Sequence, residues 1–458
     1  MRQVSVLVKA RRDSFKSPKP DAVRVLVFDV LTEVNHRDGY SNLLLPSALA
    51  ASALDARDKG FATELLYGAI RMQGRHDYIL GQVFDRPIAE LDAGIVDICR
   101  LGVHQLFEMR VATHAAVSAT VELARKAIGE SKASYVNAIL RKVSAQELTH
   151  WLAPAQEIAD DISRLSIIHS HPEWIVSAYF DLLKDIEKVE AELIANNTPA
   201  QPTLVSWPGL STQEDLIALG GVTTPFSPYG AKVDSPPASI DLIRHRLAGV
   251  QDEGSQLVAH IFSLAAHGSE RILDLCAGPG GKAALLSSIA RESGRLFIAN
   301  EVSEARAALV KKVVKGAQVW VGDGRKVAEH GESFDAVLVD APCTGLGALR
   351  RRPEVRWRRT LQDLRELTEL QSELADGALS VLNPGGIFGY ATCSPHYAET
   401  SAQVKAILKK HPELEQVDVT SYLPENLHGA TRDGALSLWA SVHNTDSMYL
   451  ALFRKRMD

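Results

Sequence analysis

The segment Asp274-Leu-Cys-Ala-Gly-Pro-Gly-Gly-Lys282 joins the end of an apolar run to a glycine-rich turn and then to a helical pattern. Glycines let the backbone of such a turn approach a ligand closely, and the N–H groups at the start of the following helix can receive a carboxylate. The segment therefore predicts a strand, a ligand-binding turn and a helix, which together form the first unit of an α/β domain.

Short apolar runs alternate with helical patterns from about Gly249 onward, which predicts a parallel sheet with crossover helices. The candidate strands are residues 271–275, 295–300, 318–321, 336–339 and 386–391. The carboxyl ends of parallel strands meet at one edge of an open sheet, where ligands bind. The polar residues expected at this edge are Asp274, Glu301, Asp323, Asp340 and Cys393.

The composition is that of a globular protein with several domains. The chain has 458 residues, of which 46% are hydrophobic and 23% are charged. It is too long for one ordinary core and too apolar to be disordered throughout. The formal net charge of −6 argues against a protein that coats nucleic acid nonspecifically, so any nucleic-acid site must be a local basic patch.

Three folded regions are expected after an arm at residues 1–20. Residues 21–145 have helical periodicity, which predicts an all-α domain. Residues 146–245 are predicted to form a linker and a small α+β module, with a strand at 203–207 and several prolines. Capping-box patterns at Ser144-x-x-Glu147 and Ser211-x-x-Glu214 predict helix starts there. Residues 246–458 hold the α/β domain.

The arm is basic. Its charged residues are Arg2, Lys9, Arg11, Arg12, Lys16 and Lys19 against the single acid Asp13. A disordered basic arm and a solvated tail without a role are equally good interpretations of this composition.

The cysteine usage predicts a reduced, cytoplasmic protein without a metal site. Cys99, Cys276, Cys343 and Cys393 form no C-x-x-C pair, so zinc is not expected. The charged N-terminal residues lack the apolar core of a secretory signal, and the apolar stretch at 43–54 is far too short to span a bilayer.

Two of the cysteines lie in distinctive segments, Asp340-Ala-Pro-Cys343-Thr-Gly345 and Tyr390-Ala-Thr-Cys393-Ser394. A lone cysteine is more often a small buried hydrophobe than a nucleophile, and Cys99 and Cys276 are interpreted in that way. Cys343 and Cys393, by contrast, each follow a predicted strand, and a carboxylate and a rigid proline precede Cys343. Either of these thiols could be a nucleophile, because the spacing does not say which one faces a substrate.

The run from Asp274 to Ser394 resembles the RNA (cytosine-5) methyltransferases, and the whole chain resembles the bacterial 16S rRNA enzymes of the RsmB/Sun type. Residues 58–71, 100–107, 114–117 and 136–141 resemble the NusB-type RNA-binding fold that heads these enzymes. The resemblance implies an all-α NusB-like domain, a small α+β module that helps to clamp RNA, and a Rossmann-like class I methyltransferase domain. A purely structural bundle is the alternative for the helical domain.

The reaction that the resemblance implies suits two thiols and one carboxyl group. Carbon 5 of cytosine is a poor nucleophile, so a thiolate first adds to carbon 6, and later the C5 proton is removed and the thiolate is eliminated. By resemblance, Cys393 is the nucleophile and Cys343 promotes proton removal and product release. Asp340 hydrogen-bonds the cytosine N3 and amine, for which it must hold or share a proton near neutral pH.

S-adenosylmethionine is the implied cofactor. By resemblance, the glycine loop lines its methionine end, Glu301 holds the ribose hydroxyls, Arg306 lies beside them and Asp323 receives the adenine amine. The implied cofactor-binding residues are Cys276, Ala277, Gly278, Pro279, Gly280, Gly281, Lys282, Glu301, Arg306, Asp323 and Asp340. The family more often has Ala and Thr in place of Gly278 and Ala283, a change expected to affect the geometry of the site rather than the identity of the cofactor.

A run of arginines from Arg350 to Arg359 follows the Cys343 segment and includes a single glutamate. A solvated helix start is the ordinary interpretation of such a run. Its position favours an RNA surface, and a base must leave its stack to reach Cys393. The predicted RNA contacts are Arg350, Arg351, Arg352, Arg356 and Trp357. The implied partner is 16S rRNA, free or in an early particle, and the enzyme is expected to be a monomer.

Two segments depart from the family pattern. Glu399-Thr400 stands where relatives commonly have Glu-Asn, and Asp446-Ser-Met-Tyr449 stands where Asp-Gly-Phe-Phe is more usual. Neither segment is expected to touch the chemistry.

Three rival functions stay open on the sequence alone. The turn Gly278-x-Gly280-x-x-Ala283 with Glu301 also fits a dinucleotide fingerprint, which would suit a nicotinamide-dependent oxidoreductase. An RNA-binding protein with a degenerate catalytic domain is disfavoured by the intact Asp340, Cys343 and Cys393. Methyl transfer to a small molecule would leave the helical domain and the arginine run without a role.

Overall fold

The computed structural model describes residues 21–457, so the predicted basic arm lies outside the described residues. The chain divides into two compact units, the first ending at Pro154 and the second beginning at Ala155. Within residues 21–457, no helix has the length and apolar character that a membrane span requires.

The first unit is helical, as the periodicity predicts. Its helices are α1 (Ala22–His36), α2 (Ser41–Ala51), α3 (Ala56–Arg71), α4 (Gln73–Gly81), α5 (Ala93–Phe107), α6 (Thr113–Ile128) and α7 (Glu130–Val143), and α8 (Leu148–Gln156) follows. Apolar residues at helical spacing, such as Val27, Leu65 and Leu101, are fully buried. Aspartates are the N-cap residues of α1, α3 and α5. Their side chains accept hydrogen bonds from N–H groups of the first turn that have no partner within the helix.

The second unit begins with a helical segment and a small sheet. Its elements are α9 (Asp161–Ile168), α10 (Glu173–Leu183), α11 (Ile186–Asn197), β1 (Thr203–Ser206), α12 (Gln213–Ala218), β2 (Val222–Thr223), β3 (Gly230–Lys232), α13 (Asp241–Arg244) and β4 (Ala248–Val250). The sheet is antiparallel in the order β2-β3-β1-β4, and β1 lies where the sequence predicts a strand.

Neither predicted capping box is found where the sequence places it. Ser144 follows the last residue of α7 and its hydroxyl donates to Arg141 O, so it ends that helix, and the next helix begins only at Leu148. The second box is one residue later than predicted. Thr212 and Asp215 cap α12 reciprocally, while Ser211 donates to Leu247 O at 2.8 Å.

The large sheet forms the centre of the second unit. The elements here are α14 (Glu253–Ala265), β5 (Arg271–Asp274), α15 (Gly281–Glu292), β6 (Leu296–Glu301), α16 (Glu304–Val313), β7 (Gln318–Val321), β8 (Phe334–Asp340), α17 (Val355–Arg358), α18 (Leu361–Ser380), β9 (Leu382–Thr392), α19 (Ser401–Lys410), β10 (Leu414–Val417), β11 (Thr431–Arg432), β12 (Ala435–Ser437), α20 (Ala440–His443) and β13 (Tyr449–Lys455). All five predicted strands are present as β5 to β9.

Strands β5 to β9 are parallel and β13 joins β9 in the antiparallel sense, in the order β11-β12-β13-β9-β8-β5-β6-β7, with β10 on β13. One hydrophobic core packs α14 and α15 on one face of this sheet, and a second packs α18 and α19 on the other. The predicted Rossmann-like fold with both faces covered is therefore confirmed.

Helices α9 to α11 do not form a core of their own. Ile175, Val176 and Leu193 pack with Leu346 and Leu349 of the segment that follows Cys343. The predicted boundary near residue 245 thus falls inside one compact unit, and the functional division at that point stays a prediction.

Candidate active site

The carboxyl ends of the parallel strands bring the predicted polar residues to one edge of the sheet. In the register of the sheet, Asp274 pairs with Leu338 and Asp340 pairs with Ala391, so the ends of β5, β8 and β9 lie side by side. Glu301 ends the neighbouring β6. The loops carrying Cys343 and Cys393 therefore leave from adjacent strands.

The two predicted catalytic thiols meet at this edge. Cys343 Sγ lies 3.4 Å from Cys393 Sγ, and the two sulfurs share a hydrogen bond. Gly347 N donates to Cys393 O at 2.9 Å, which ties the loop after β8 to the loop after β9. Both thiols are partly accessible. Fifty residues of sequence separate them, and the parallel pairing of β8 and β9 removes that separation.

The glycine loop reaches the same place through Lys282. Its ammonium donates to Asp340 Oδ2 at 2.8 Å, with 9% of the Lys282 side chain exposed. Burial alone would lower the pKa of Lys282, but Asp340, with Cys393 and Asp274 acting in the same direction, makes the net shift upward. Lys282 is therefore a cation beside the thiols.

The charges around the thiols are unequal. The hydrogen bond with Cys343 lowers the pKa of Cys393, and Lys282 acts in the same direction against burial, Asp340 and Asp446. That hydrogen bond, burial and the carboxylate of Glu399 all raise the pKa of Cys343. Either sulfur can donate in the hydrogen bond between them, and the surrounding groups favour negative charge on Cys393 over negative charge on Cys343.

The other two cysteines are placed differently. Burial raises the pKa of Cys276 well above its ordinary value, and Asp274 and Asp340 act in the same direction. Cys99 lies fully buried in α5 of the first unit, where burial likewise raises its pKa. Cys99 has no cation among the influences on its pKa, and for Cys276 the cation of Arg306 does not overcome burial and the neighbouring carboxylates.

Glu301 holds the glycine loop. Its Oε2 accepts from Gly278 N at 3.0 Å and its Oε1 accepts from Ser303 N at 2.9 Å. A Cβ atom on Gly278 would lie 2.2 Å from Glu301 Oε2, so an alanine at this position would require the Glu301 carboxylate to move. Arg306 donates to Gly278 O and lies 3.4 Å from Glu301. Predicted cofactor residues from two segments are therefore in direct contact.

Asp323 is at the same edge but already has a partner. It caps the turn after β7 through Arg325 N, at 3.0 Å, and its carboxylate forms an ion pair with the Arg325 guanidinium. The hydrogen bond from Arg325 lowers the pKa of Asp323. Any donor from a ligand must share this carboxylate with Arg325.

Asp274 is the most deeply buried of the acids at this edge. None of its side chain is exposed, and among residues 21–457 no side chain hydrogen-bonds its carboxylate, although the backbone N–H of Cys276 acts to lower its pKa. Burial raises the pKa of Asp274 to about 8, with Asp340 acting in the same direction and Lys282 against it.

The residues present fit S-adenosylmethionine. Two of the features expected are a glycine turn that a Cβ atom would fill and a buried acid at the end of the second parallel strand. The unpaired carboxylate of Asp274 at the base of the same turn offers a site for a cationic amino group.

Sequence reasoning does not find Glu399. The sequence marks this residue only as part of a departure from the family pattern, yet its carboxylate is fully buried and accepts from Thr344 N at 2.8 Å, directly beside Cys343. The available signal is a single carboxylate six positions after Cys393, in a segment that has no other acid. Periodicity cannot show that this charge is buried.

The Asp446 segment lies behind the Cys393 loop, and the expectation that it does not touch the chemistry stays a prediction. Asp446 forms an ion pair with Arg351, and burial raises the pKa of Asp446 to about 6 although Arg351 opposes the shift. Ser447 N donates to Gly347 O at 2.9 Å, and Gly347 in turn contacts Cys393 O. This segment therefore supports the Cys393 loop from behind.

The arginine run does not form the exposed surface that the sequence suggests. Arg356 is completely buried, and its guanidinium donates to Ser170 O, Asn196 O and Asn197 Oδ1. Arg350 is also buried and donates to Asn444 Oδ1 at 2.8 Å. The prediction that these two arginines contact RNA is corrected, because their donors are used within the protein.

The other three predicted RNA contacts are only partly accessible. The Arg351 side chain is 41% exposed and is held by Asp446. Arg352 and Trp357 are half-buried. A contact of these three with RNA stays a prediction.

Comparison with known proteins shows which families the two parts of the chain match. Residues 261–454 match the model of the 16S rRNA methyltransferase RsmB/F, and residues 21–145 match that of the NusB family. A Mycobacterium tuberculosis protein that is named as a methyltransferase is 40% identical over 445 residues, which cover 95% of this chain and 97% of that protein.

One further relative and one solved structure are also similar to this chain. The ribosomal RNA small subunit methyltransferase B of Vibrio vulnificus is 31% identical over 86% of this chain and 92% of its own length. The crystal structure of PH0851 superposes with a TM-score of 0.79 at 22% identity, over 94% of this chain and 98% of that one.

The fold and the site define an S-adenosylmethionine-dependent methyltransferase joined to a NusB-like helical domain. The chain belongs to the RsmB/F family of 16S rRNA methyltransferases.

Proposed function

We propose that this protein transfers a methyl group to carbon 5 of a cytosine in 16S rRNA through a transient bond between Cys393 Sγ and carbon 6. The observation that carries the proposal is the 3.4 Å approach of the two sulfurs beside the Lys282–Asp340 pair. Methylation of carbon 5 needs one sulfur to activate the base and other groups to donate and accept protons. The two sulfurs, Lys282 and Asp340 lie together at this edge of the sheet.

The first step is the attack on the base. The Cys393 sulfur supplies an electron pair to carbon 6, and the C5–C6 double-bond pair moves onto carbon 5 and towards N3. Asp340, with the Lys282 ammonium 2.8 Å away, is placed to hydrogen-bond N3 and the exocyclic amine as charge develops there. The electron pair on carbon 5 would then form the new bond to the electrophilic methyl group that S-adenosylmethionine supplies when bound, and the bond from that methyl group to the donor sulfur would break with its electron pair staying on the sulfur.

The second step returns the enzyme to its starting state. The C5–H bond breaks with its proton passing to solvent water, its electron pair restores the C5–C6 double bond, and the bond from carbon 6 to Cys393 breaks with the sulfur leaving as a thiolate. Cys343 lies 3.4 Å from that sulfur, and its proposed role is to promote both the proton loss and the release.

We further propose the roles of the remaining site residues. The loop from Cys276 to Lys282 lines the methionine end of the cofactor, Glu301 and Arg306 the ribose, and Asp323 the adenine amine. The helical region 21–145 is proposed to bind RNA and residues 146–245 to help clamp it, with the enzyme acting as a cytoplasmic monomer on free 16S rRNA or an early particle. Arg351, Arg352 and Trp357 are retained as RNA contacts.

The test is methylation of 16S rRNA transcripts by purified protein with the labelled donor, followed by bisulfite mapping. We expect one protected cytosine with wild type and none with Cys393→Ala. Transcripts that stay unmodified while a small metabolite is labelled would overturn the proposal.

A further inference from the structure

A buried carboxylate lies behind the Cys343 loop. Glu399 is 0% exposed and accepts three hydrogen bonds, from Thr344 N at 2.8 Å, from Gln371 Nε2 at 3.1 Å and from the Thr344 hydroxyl. Within residues 21–457, no lysine, arginine or histidine forms an ion pair with it. Burying an unpaired charge is costly, so a neutral side chain would be the cheaper way to hold the loop.

The hydrogen bonds around Glu399 join the two catalytic loops. Gln371 also donates to Pro342 O at 3.0 Å and accepts from the Tyr390 hydroxyl at 3.0 Å, so α18 and β9 are both tied to the segment before Cys343. The Thr344 hydroxyl lies 3.1 Å from Ser394 Oγ. The residues that follow the two cysteines are thus in contact with each other, which fixes the separation of the sulfurs.

The charges differ on the two sides of the sulfur pair. Glu399 acts on Cys343 together with Asp340 and the Cys393 sulfur, and all of these are negative or become so. Cys393 is influenced by Asp340 and Asp446 but also by the cation of Lys282, and Arg351 lies close enough to respond to the charge of Cys393. Glu399 is therefore the charge that is specific to Cys343.

We propose that Glu399 is a positioning residue with two effects: its hydrogen bonds hold the Cys343 loop against Cys393, and its negative charge keeps the proton on Cys343. Cys393 is then the sulfur that carries the negative charge before substrate binds. This inference rests on the proposed two-thiol reaction and explains why the two chemically equal thiols take different roles.

Two substitutions separate the effects of shape and charge. Glu399→Gln keeps the length of the side chain and an oxygen that can accept from Thr344 N, but removes the charge. Glu399→Asp keeps the charge but is one methylene too short to reach Thr344. Glu366→Gln, at an exposed glutamate on the same helix as Gln371, is the matched control.

The experiment measures the alkylation rate of each cysteine by iodoacetamide as a function of pH, resolved by peptide mass spectrometry, in the full chain without RNA. In wild type and Glu366→Gln, Cys393 should react with a lower midpoint pH than Cys343. In Glu399→Gln, the midpoint of Cys343 should fall by about 1 pH unit or more, because a like charge has been removed. Glu399→Asp should leave that midpoint near its wild-type value.

Two results would overturn the inference. One is a lower midpoint for Cys343 than for Cys393 in wild type, a measurement that does not depend on any variant folding. The other is a Cys343 midpoint that is the same in Glu399→Gln as in wild type, with thermal unfolding showing that the variant is folded. If the variant does not fold, the order of the two midpoints in wild type decides.

Turnover supplies the readout for positioning. Glu399→Asp should lower kcat by about 10-fold or more with little change in KM for RNA, because the loop carrying Cys343 is displaced while the RNA surface is not. An unchanged kcat would contradict the positioning role. The alkylation assay uses no RNA or cofactor, so a wild-type protein that methylates no RNA would reject the proposed function without deciding the role of Glu399.

Discussion

The ammonium of Lys282 lies 2.8 Å from Asp340 Oδ2 and joins the glycine loop to the loop that carries Cys343. Lys282 lies in the first turn of α15, which follows β5. Asp340 ends β8, which pairs with β5. The cofactor side and the base side of the site are thus connected by one ion pair.

Asp340→Asn should lower kcat/KM by about 100-fold or more, because an amide can neither take up nor share a proton with Lys282 while charge develops on the base. The measurement is transfer of labelled methyl to 16S rRNA transcripts. Asp376→Asn serves as a control, since Asp376 pairs with Lys410 and His411 instead. Wild-type kcat/KM in Asp340→Asn would remove Asp340 from the chemistry.

Cys343→Ala should trap the protein on its RNA. The Cys393 sulfur can still attack carbon 6, but the group proposed to promote release, 3.4 Å away, is missing. Denaturing gel electrophoresis after incubation with RNA and donor should reveal a protein–RNA band. Cys393→Ala should give neither that band nor methylated RNA. A Cys343→Ala variant that turns over normally would show that a single thiol is enough.

The proximity of the sulfurs also predicts a disulfide under mild oxidation. A disulfide needs an S–S distance of about 2.05 Å, so the sulfurs at 3.4 Å need to approach by only a small loop movement. Diamide should therefore abolish methyl transfer, and dithiothreitol should restore it. Peptide mapping without reductant should find Cys343 linked to Cys393, and Cys99 and Cys276 should stay free. Inactivation in which another pair is linked would contradict the observed geometry.

The sheet and the thiol pair could be predicted from the sequence because their signals are local. Each of the strands β5 to β9 is a short apolar run that ends at a polar residue, and the parallel topology then brings the ends together. Cys343 and Cys393 each follow directly on such a strand. The proximity of the two thiols could therefore be predicted without knowing how the side chains pack.

Glu399 and the arginine run could not be placed in the same way, because their burial depends on distant segments. Arg356 is covered by carbonyl groups of residues 170 and 196, more than 150 positions earlier in the chain. Charge runs are usually solvated, so the sequence alone favours exposure for Arg356. Only the packing of α9 to α11 on residues 346–355 reveals that this arginine stabilises the fold.

Arg356→Met should therefore destabilise the protein rather than weaken RNA binding. Removing the guanidinium leaves buried acceptors at Ser170, Asn196 and Asn197 without their donor, which we expect to cost about 3 kcal/mol of the free energy of unfolding. Urea denaturation measures this loss. Arg365→Gln, at an exposed position of α18, should change stability little.

The salt dependence of RNA binding distinguishes the two roles of the arginines. Below its unfolding transition, Arg356→Met should keep the wild-type slope of log affinity against log salt concentration. If Arg356 instead bound a phosphate group of the RNA, its replacement would reduce the slope by about 1. A reduced slope with unchanged stability would restore Arg356 to the RNA surface.

Asp274 predicts an unusual dependence of stability on pH. Burial raises the pKa of its carboxyl group from 3.8 to about 8 in the folded chain. Between these values the unfolded chain is ionised at this residue while the folded chain still holds the proton, so the folded state binds more protons and its stability falls as pH rises. Above about pH 8 this loss is complete, and the folded protein carries an unpaired buried charge.

Asp274→Asn removes the titration at the same volume. The difference in Tm between this variant and wild type should therefore shift in favour of the variant as pH is raised from 5 to 8, measured by thermal unfolding in buffers of equal ionic strength. Saturating S-adenosylmethionine should reduce that shift if its amino group pairs with Asp274, because the buried charge then has a partner in the wild type. A Tm difference that is constant with pH would mean that Asp274 is already ionised in the folded protein.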